Sequence, residues 1–213
     1  MAQHALTPDD KHARRDAILE AALSLFVAQS DLPSSAQIAT AAGLAKGTVY
    51  IYFRTKEEIF IALLERGVAD FLTKLEDSIV QLKGRREQKI AAVLSVYVEY
   101  LEQHRELLRL DAMSHAVLEK NLETSKCLEH KLTFITRLQK TALVIERTFQ
   151  IEEGRGITLL MRTFAMTRGL WQNYPEDDMR PELADAATPL YKSFAKETHE
   201  ALIEYWHGAL TLK

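Results

Sequence analysis

The fold is decided by residues 38–50, which read IATAAGLAKGTVY. Gly43 divides this stretch, and glycine readily takes the left-handed conformation that ends a helix. The small side chains of Ala39 and Ala42 would allow two short helices to cross closely on either side of the turn. The larger apolar residues are spaced so that they can face inward: Ile38, Leu44, Val49 and Phe53. The stretch therefore predicts a helix, a tight turn and a second short helix.

The second helix of this pair would turn a polar face outward, formed by Lys46, Thr48, Tyr50 and Tyr52. A helix-turn-helix that reads DNA presents such a face to the major groove. A plain helical hairpin, with Tyr50 and Tyr52 as half-buried surface aromatics, fits the same composition. The spacing alone leaves both interpretations open.

Charge is distributed unevenly along the chain, whose formal net charge is -3. Residues 32–56 contain no Asp or Glu, and they include Lys46, Arg54 and Lys56. A phosphate responds to a local basic surface, so a protein with a negative net charge can still bind nucleic acid. The pattern favours a phosphate-facing surface over chance local composition.

A first helix is predicted before the motif. Thr7 can cap its beginning and Pro8 suits its first position. The apolar residues Ile18, Ala21, Ala22 and Leu25 form a stripe along one face. We expect this helix to end near Gln29.

Capping boxes mark the next helix starts. Ser34 with Gln37, and Thr55 with Glu58, have the spacing in which two side chains and two backbone N–H groups bond reciprocally. The second box predicts a long helix from about residue 56 to about residue 82. Gly84 then breaks the chain, and we place a domain boundary there.

Further helices are predicted over about 86–104, 106–120, 122–150, 153–173 and 187–211. The chain has only 8 Gly and 5 Pro, fewer than a many-stranded sheet would need for its turns. We therefore predict an all-α fold, in which a three-helix helix-turn-helix domain precedes a larger helical domain. The predicted divisions are a helix-turn-helix domain over 1–55 (motif about 34–53), a connecting helix over 56–84 and a helical domain over 85–213.

Composition also limits where the protein works. The chain has 213 residues and a single cysteine, Cys127, so no disulfide can form within it. No apolar run reaches the roughly 18 residues that span a bilayer, and the first residues lack the apolar core of a signal peptide. We expect a soluble, cytoplasmic protein without a membrane partner.

Catalytic patterns are incomplete. His199 and Glu200 begin a zinc-protease motif, but Ile203 stands where the second histidine is needed. Cys127 and His130 could touch on one helix, although an ordinary surface pair explains that spacing as well. We expect no catalytic residue, no metal and no cofactor. A small helical enzyme that retains a helix-turn-helix, and a helical protein-interaction module, remain the alternative function classes.

Residues 43–59, GLAKGTVYIYFRTKEEI, closely resemble the TetR family signature AGVSxGTLYxYFxSKEEL. Residues 18–22, with Leu25 and Phe26, resemble the first helix of that family. The resemblance extends from about Lys11 to Phe60. It implies a ligand-responsive transcriptional repressor that binds a near-palindromic DNA operator as a homodimer and is released by a small molecule.

The resemblance also implies roles for individual residues. Lys46 and Thr48 would lie closest to bases, and the remaining side chains would hold phosphates or support that surface. The complete predicted DNA-binding set is Ser34, Ser35, Gln37, Lys46, Thr48, Tyr50, Tyr52 and Lys56. One departure concerns Ala45, because the family usually has Ser or Thr there to cap the recognition helix and alanine cannot do so.

The larger domain is predicted to hold a ligand cavity. Methionine and aromatic side chains make adaptable walls, and a few polar groups can orient a ligand. The predicted pocket residues are Tyr97, His104, Met113, His115, Phe134, Met161, Arg162 and Trp171, on helices that also carry Phe164 and Met166. Arg162 could instead pair with Glu146, and the apolar members could simply belong to the core.

The last two helices would form the dimer interface if the chain follows the family. Large apolar and aromatic residues suit an interface core. The predicted interface residues are Leu190, Phe194, Leu202, Tyr205 and Trp206. A chain that uses these residues for its own core is the alternative.

Overall fold

The computed structural model describes residues 7–29, 31–173 and 193–211, and the regular elements in these ranges are helices without strands. In chain order they are α1 Pro8–Ala28, α2 Ser35–Ala41, α3 Lys46–Tyr52, α4 Lys56–Val80, α5 Arg86–Gln103, α6 Arg105–Met113, α7 Thr124–Phe149, α8 Arg155–Gln172 and α9 Phe194–Thr211. The all-α prediction is confirmed. The predicted start of the last helix, near residue 187, lies outside the described residues.

One predicted helix differs from the structure. The segment 106–120 does not remain α-helical, because α6 ends at Met113 and continues as a π-helical turn, Ser114–Leu118, and a short 3₁₀ turn, Glu119–Asn121. Leu110, Ser114 and Leu118 are all buried. Their steps of four residues fit an α-helix and a π-helical turn alike, so spacing could not distinguish the two.

The predicted caps of α1 and α2 are present as complete capping boxes at Thr7 and Ser34. The box at Thr55 is different. Thr55 Oγ1 accepts a hydrogen bond from the backbone N–H of Glu58 at 3.2 Å, as predicted. The Glu58 carboxylate, however, reaches one residue further back and accepts from the backbone N–H of Arg54 at 2.8 Å. The start of α4 is therefore tied to the residue that follows buried Phe53.

The described residues fall into two compact units. The first contains those up to Gly67 together with 113–130, and the second contains 68–112 and those from 131 onward. Helices α4, α6 and α7 each contribute residues to both. The functional division at residues 55 and 84 stays a prediction, because compactness does not say what each segment binds.

The first unit is built on the apolar face of α1. The rings of Phe26 in α1 and Phe60 in α4 lie 5.6 Å apart, and Arg66 in α4 pairs with Glu20 in α1 at 2.7 Å. Its buried apolar residues include Ile18, Leu19, Ala22, Ile38, Ala39, Val49, Phe53 and Ile59. The inward positions predicted for Ile38, Val49 and Phe53 are confirmed, and Leu44 is half-buried.

In the second unit, α9 packs against α5 and α8. The indole N–H of Trp206 donates to Thr163 Oγ1 at 2.9 Å, and the ring packs edge-on against Phe149. The guanidinium groups of Arg86 and Arg155 donate to the backbone carbonyls of Leu210 and Ala209 near the end of α9. These bonds satisfy carbonyls that would otherwise have no partner within the helix.

Helix α8 approaches α7 so closely that one position has no room for a side chain. A Cβ atom at Gly156 would lie 2.4 Å from the backbone oxygen of Ala142 and 2.9 Å from Cγ of Glu146. We expect Gly156→Ala to lower the free energy of unfolding by about 1–3 kcal/mol, because the backbone of α7 must move. Gly169, in the same helix, has open space around it. Gly169→Ala should raise stability by about 0.5–1 kcal/mol, so equal effects of the two variants in urea unfolding would contradict the close approach.

Candidate nucleic-acid interface and ligand cavity

Helices α2 and α3 are joined by the predicted glycine turn. Gly43 has φ +66, in the left-handed region. The N–H of Leu44 then donates to the carbonyl of Ala39 at 2.9 Å, which closes the end of α2. Ala45 begins α3 without a side-chain cap, as predicted. Buried Val49 and Phe53 hold α3 in place, and the Arg15 guanidinium lies 5.0 Å from the centre of the Phe53 ring.

An open concave surface lies beside α3, and we call it the α2–α4 groove. It is lined by Ser34, Ser35, Ala36, Lys46, Tyr50, Arg54, Thr55, Lys56 and Glu57. The structure thus brings together Ser34, Ser35, Lys46, Tyr50 and Lys56 of the predicted DNA-binding set. The groove carries the cations Lys46, Arg54 and Lys56 together with one carboxylate, Glu57. Its charge is therefore locally positive in a chain with a negative net charge.

The other predicted DNA-binding residues do not line this groove. The Gln37 amide oxygen accepts hydrogen bonds from the backbone N–H and the hydroxyl of Ser34, at 2.9 and 2.7 Å. Gln37 thereby sets the beginning of α2. Thr48 and Tyr52 are half-buried residues of α3. Which of these groups contacts DNA stays a prediction.

Arg54 belongs to the groove but was not among the predicted site residues. Its guanidinium forms an ion pair with the carboxylate of Glu123, 69 residues later in the chain. The signal for Arg54 in the sequence is its place in the acid-free stretch, directly after the inward-facing Phe53. The signal for its partner is absent, because nothing near Glu123 in the sequence points to residue 54.

The second unit contains a cavity of about 60 Å³. It is lined by Val68, Phe71, Tyr97, Leu101, Leu107, Leu108, Asp111, Phe134, Phe164, Thr167 and Arg168. The ring of Phe71 lies 5.1 Å from that of Tyr97 and 6.3 Å from that of Phe164, so aromatic rings form much of the wall. Of the predicted pocket residues, Tyr97 and Phe134 are here.

Few polar groups face this cavity. The Tyr97 hydroxyl lies 3.0 Å from Thr167 Oγ1, and burial raises the pKa of the Tyr97 phenol, so the phenol stays neutral. Arg168 forms a bidentate pair with Asp111, through Nε at 2.7 Å and Nη2 at 2.6 Å. Both side chains of this pair are partly exposed. The cavity therefore has an apolar interior and one fixed, partly exposed cation.

The remaining predicted pocket residues are elsewhere. His104 stacks on Tyr100, Trp171 packs edge-on against Phe194, and Met161 and Arg162 lie on the exposed face of α8. Met113 and His115 belong to the first compact unit. The suggested pairing of Arg162 with Glu146 is wrong, because that carboxylate accepts from the backbone N–H groups of Gly154 and Gly156 at 2.8 and 2.9 Å.

The predicted interface residues lie mostly inside the core of one chain. Phe194, Leu202 and Trp206 are buried within a single chain, on the face of α9 that packs against α5 and α8. Their apolar surface is already removed from water without a partner chain, so their role at an interface stays a prediction. Tyr205 is half-buried. Leu190 lies outside the described residues.

Other chemistry finds little support. His130 Nδ1 lies 2.9 Å from Glu65 Oε1, which ties it to α4. In the ranges that the structure describes, no three His, Cys, Asp or Glu side chains are grouped so as to hold a metal ion. None of the described helices combines the length and the apolar character needed to cross a membrane.

Comparison with known proteins agrees with this architecture. The chain is 37% identical over 65 residues to the fatty acid metabolism regulator protein of Bacillus subtilis, a match that covers 30% of this chain and 33% of that relative. A TetR-family regulator from Streptomyces coelicolor has a similar structure, with a TM-score of 0.58 at 19% identity over 92% of this chain and 81% of that one. The regulator FadR from Bacillus subtilis, solved in complex with stearoyl-CoA, has a TM-score of 0.51 at 21% identity over 88% and 97%. At these identities, the structural likeness concerns the fold alone.

Two family models match the chain in succession. The model of bacterial regulatory proteins of the tetR family matches residues 18–63, and that of the tetracyclin repressor-like C-terminal domain matches residues 65–213. The resemblance seen in residues 43–59 is thereby confirmed and extended beyond the DNA-binding motif. Because the two matches together span most of the chain, this protein belongs to the TetR family of transcriptional regulators.

Proposed function

We propose that this protein is a repressor that binds a near-palindromic operator as a homodimer and leaves it when a small molecule binds. The observation that carries the proposal is the α2–α4 groove, where Lys46, Arg54 and Lys56 lie beside an exposed face of α3. Neutral hydroxyl groups of Ser34, Ser35 and Tyr50 share that surface. Such groups fix the position of a protein on the phosphate backbone without reading sequence.

Sequence would be read by α3. Lys46 is exposed at the beginning of this helix, and half-buried Thr48 lies within the same turn. In a dimer, two such helices would enter successive major grooves about 34–36 Å apart, which matches a palindromic site. The partner, chromosomal DNA, implies a cytoplasmic location. Since neither family model describes an enzyme, an enzymatic role has no support.

The dimer would use surfaces that remain outside the core of one chain. We propose the outward faces of α8 and α9, where Met161 is 49% exposed and Tyr205 is half-buried. This replaces the earlier set, in which buried residues of α9 were the anchors. An interface of this kind would be formed without opening the core.

The ligand would occupy the cavity of the second unit. A volume of about 60 Å³ accepts a group of roughly four to six non-hydrogen atoms, judged by the space a water molecule needs. The apolar walls favour a hydrocarbon group, and Arg168 favours an anionic group that would replace the Asp111 carboxylate. We therefore propose a small anionic amphiphile. The FadR neighbour, bound to stearoyl-CoA, is a precedent for a ligand with both characters in this fold.

Lys56→Ala tests the DNA-binding assignment. We expect it to weaken binding to operator and to random duplex by similar factors, because a phosphate contact carries no sequence information. The slope of log affinity against log salt concentration should become shallower by about one unit per subunit, because one phosphate fewer is neutralised. Lys74→Ala, a change at an exposed lysine of α4 outside the groove, is the control and should leave the slope unchanged. An unchanged slope for Lys56→Ala would show that this residue does not contact a phosphate. Binding of the wild-type protein to duplex DNA that does not depend on salt would favour a protein-interaction module.

A further inference from the structure

The ion pair between Arg54 and Glu123 lies at the edge of the α2–α4 groove. The guanidinium lines the groove, and its Nη1 atom is 2.5 Å from Glu123 Oε1. Both side chains are solvent-accessible, at 73% and 56% of their surface. A cation on the proposed phosphate-binding surface is thus already occupied by a carboxylate of the same chain.

We propose that Arg54 is a phosphate-binding residue and that Glu123 competes with DNA for its guanidinium. The inference rests on the proposed DNA-binding function. It adds an ion pair within the chain that lowers the affinity for DNA. A carboxylate and a phosphate both match the planar fork of N–H donors that arginine presents. The Nη1 donor that faces Glu123 cannot bond both anions at once, so DNA must displace Glu123 to use that donor.

Both backbones are held in place, which makes the pairing a built feature of the first unit. The Arg54 N–H donates to the Glu58 carboxylate at the start of α4. The carbonyl of Glu123 accepts from the N–H of Cys127 at 2.9 Å, so Glu123 sits at the beginning of α7. The two side chains can therefore exchange partners while the backbone at Arg54 and at Glu123 stays in place.

The exchange would cost little, because an exposed ion pair is weak and is screened by salt. Its consequence is a lower affinity for every duplex, whatever its sequence. The protein would then depend more on the contacts of α3 with bases to remain bound. Glu123 would thereby lower the affinity of the protein for non-specific DNA.

The test compares two carboxylate variants of the full-length protein. Glu123→Gln removes the competitor of Arg54. Glu129→Gln is the matched control, because Glu129 pairs with Lys126 at 2.6 Å in the same helix, and neither residue lines the groove. Each variant removes one negative charge and leaves one cation without its carboxylate. Binding is measured by fluorescence anisotropy with a labelled random-sequence duplex at low and at high salt.

We expect Glu123→Gln to raise affinity at low salt by about two- to fivefold per subunit, clearly more than Glu129→Gln, with the difference lost at high salt. In an Arg54→Gln background, the two carboxylate variants should have equal effects. Equal effects in the wild-type background would overturn the inference while leaving DNA binding in place. A wild-type protein that binds neither this duplex nor any other would overturn the proposed function itself, and the inference with it.

Discussion

Trp206→Ala is expected to lower the free energy of unfolding by about 3–5 kcal/mol, the range for large aromatic residues removed from a core. The side chain is 1% exposed, donates to Thr163 Oγ1 and packs edge-on against Phe149. Its removal would leave a cavity between α8 and α9 as well as an unused acceptor. Urea unfolding measures the loss, and an unchanged slope of free energy against urea would show that the change lies in stability alone.

The same variant separates a core role from an interface role. Tyr205→Ala, at the half-buried neighbouring position, should cost much less. Unfolding must be followed at several protein concentrations, because association adds a concentration-dependent term to apparent stability. If Trp206→Ala yields a monomer as stable as a wild-type protomer, the residue is an interface anchor and its placement in the core is wrong.

Arg168→Gln is expected to weaken the binding of hexanoate by about three- to tenfold, because an ion pair at a partly exposed site contributes about 1 kcal/mol and the Asp111 carboxylate competes for the same guanidinium. Hexanoate serves as the probe because its five-carbon chain suits the size of the cavity and its carboxylate can meet Arg168 at the mouth. Hexan-1-ol, which has no charge, should bind the variant and the wild type alike. Chemical-shift titration by NMR measures both affinities.

Two further variants test whether the effect on hexanoate binding is specific to Arg168. Arg162→Gln removes an exposed arginine of the same helix that does not line the cavity, and it should leave the affinity for hexanoate unchanged. Asp111→Asn weakens the resident partner of Arg168 and should raise the affinity for hexanoate. Equal binding of hexanoate and hexan-1-ol by the wild type would refute the anionic ligand class.

If ligand binding in the cavity releases the protein from its operator, ligand and DNA must change each other's affinity by the same factor. Whatever factor hexanoate imposes on DNA affinity, DNA must impose on hexanoate affinity. A bound carboxylate whose affinity ignores DNA would occupy the cavity without acting as an inducer.

Local features of the sequence were sufficient for the ends of the first helices, although not for the segment 106–120. The caps at Thr7 and Ser34, the left-handed Gly43 and the uncapped start of α3 at Ala45 depend on residues within about four positions of one another. Interactions over such short spacings are visible in the sequence. The exception at Thr55 is also local. The Glu58 carboxylate accepts from the N–H of Arg54 instead of the N–H of Thr55, and these two groups are adjacent in the chain.

The sequence by itself determined the all-α fold, the helix-turn-helix and the family, because these follow from short-range spacing and a specific motif. Only the tertiary structure decided which faces are used. It turned Phe194, Leu202 and Trp206 into the core, directed Arg168 rather than Arg162 to the cavity and joined Arg54 to Glu123 across 69 residues. The physical reason is that an apolar stripe or a charged residue indicates that the side chain needs a packing or ion-pair partner, but it does not identify that partner. The partner is set by how distant helices pack, and that information lies in the whole chain at once.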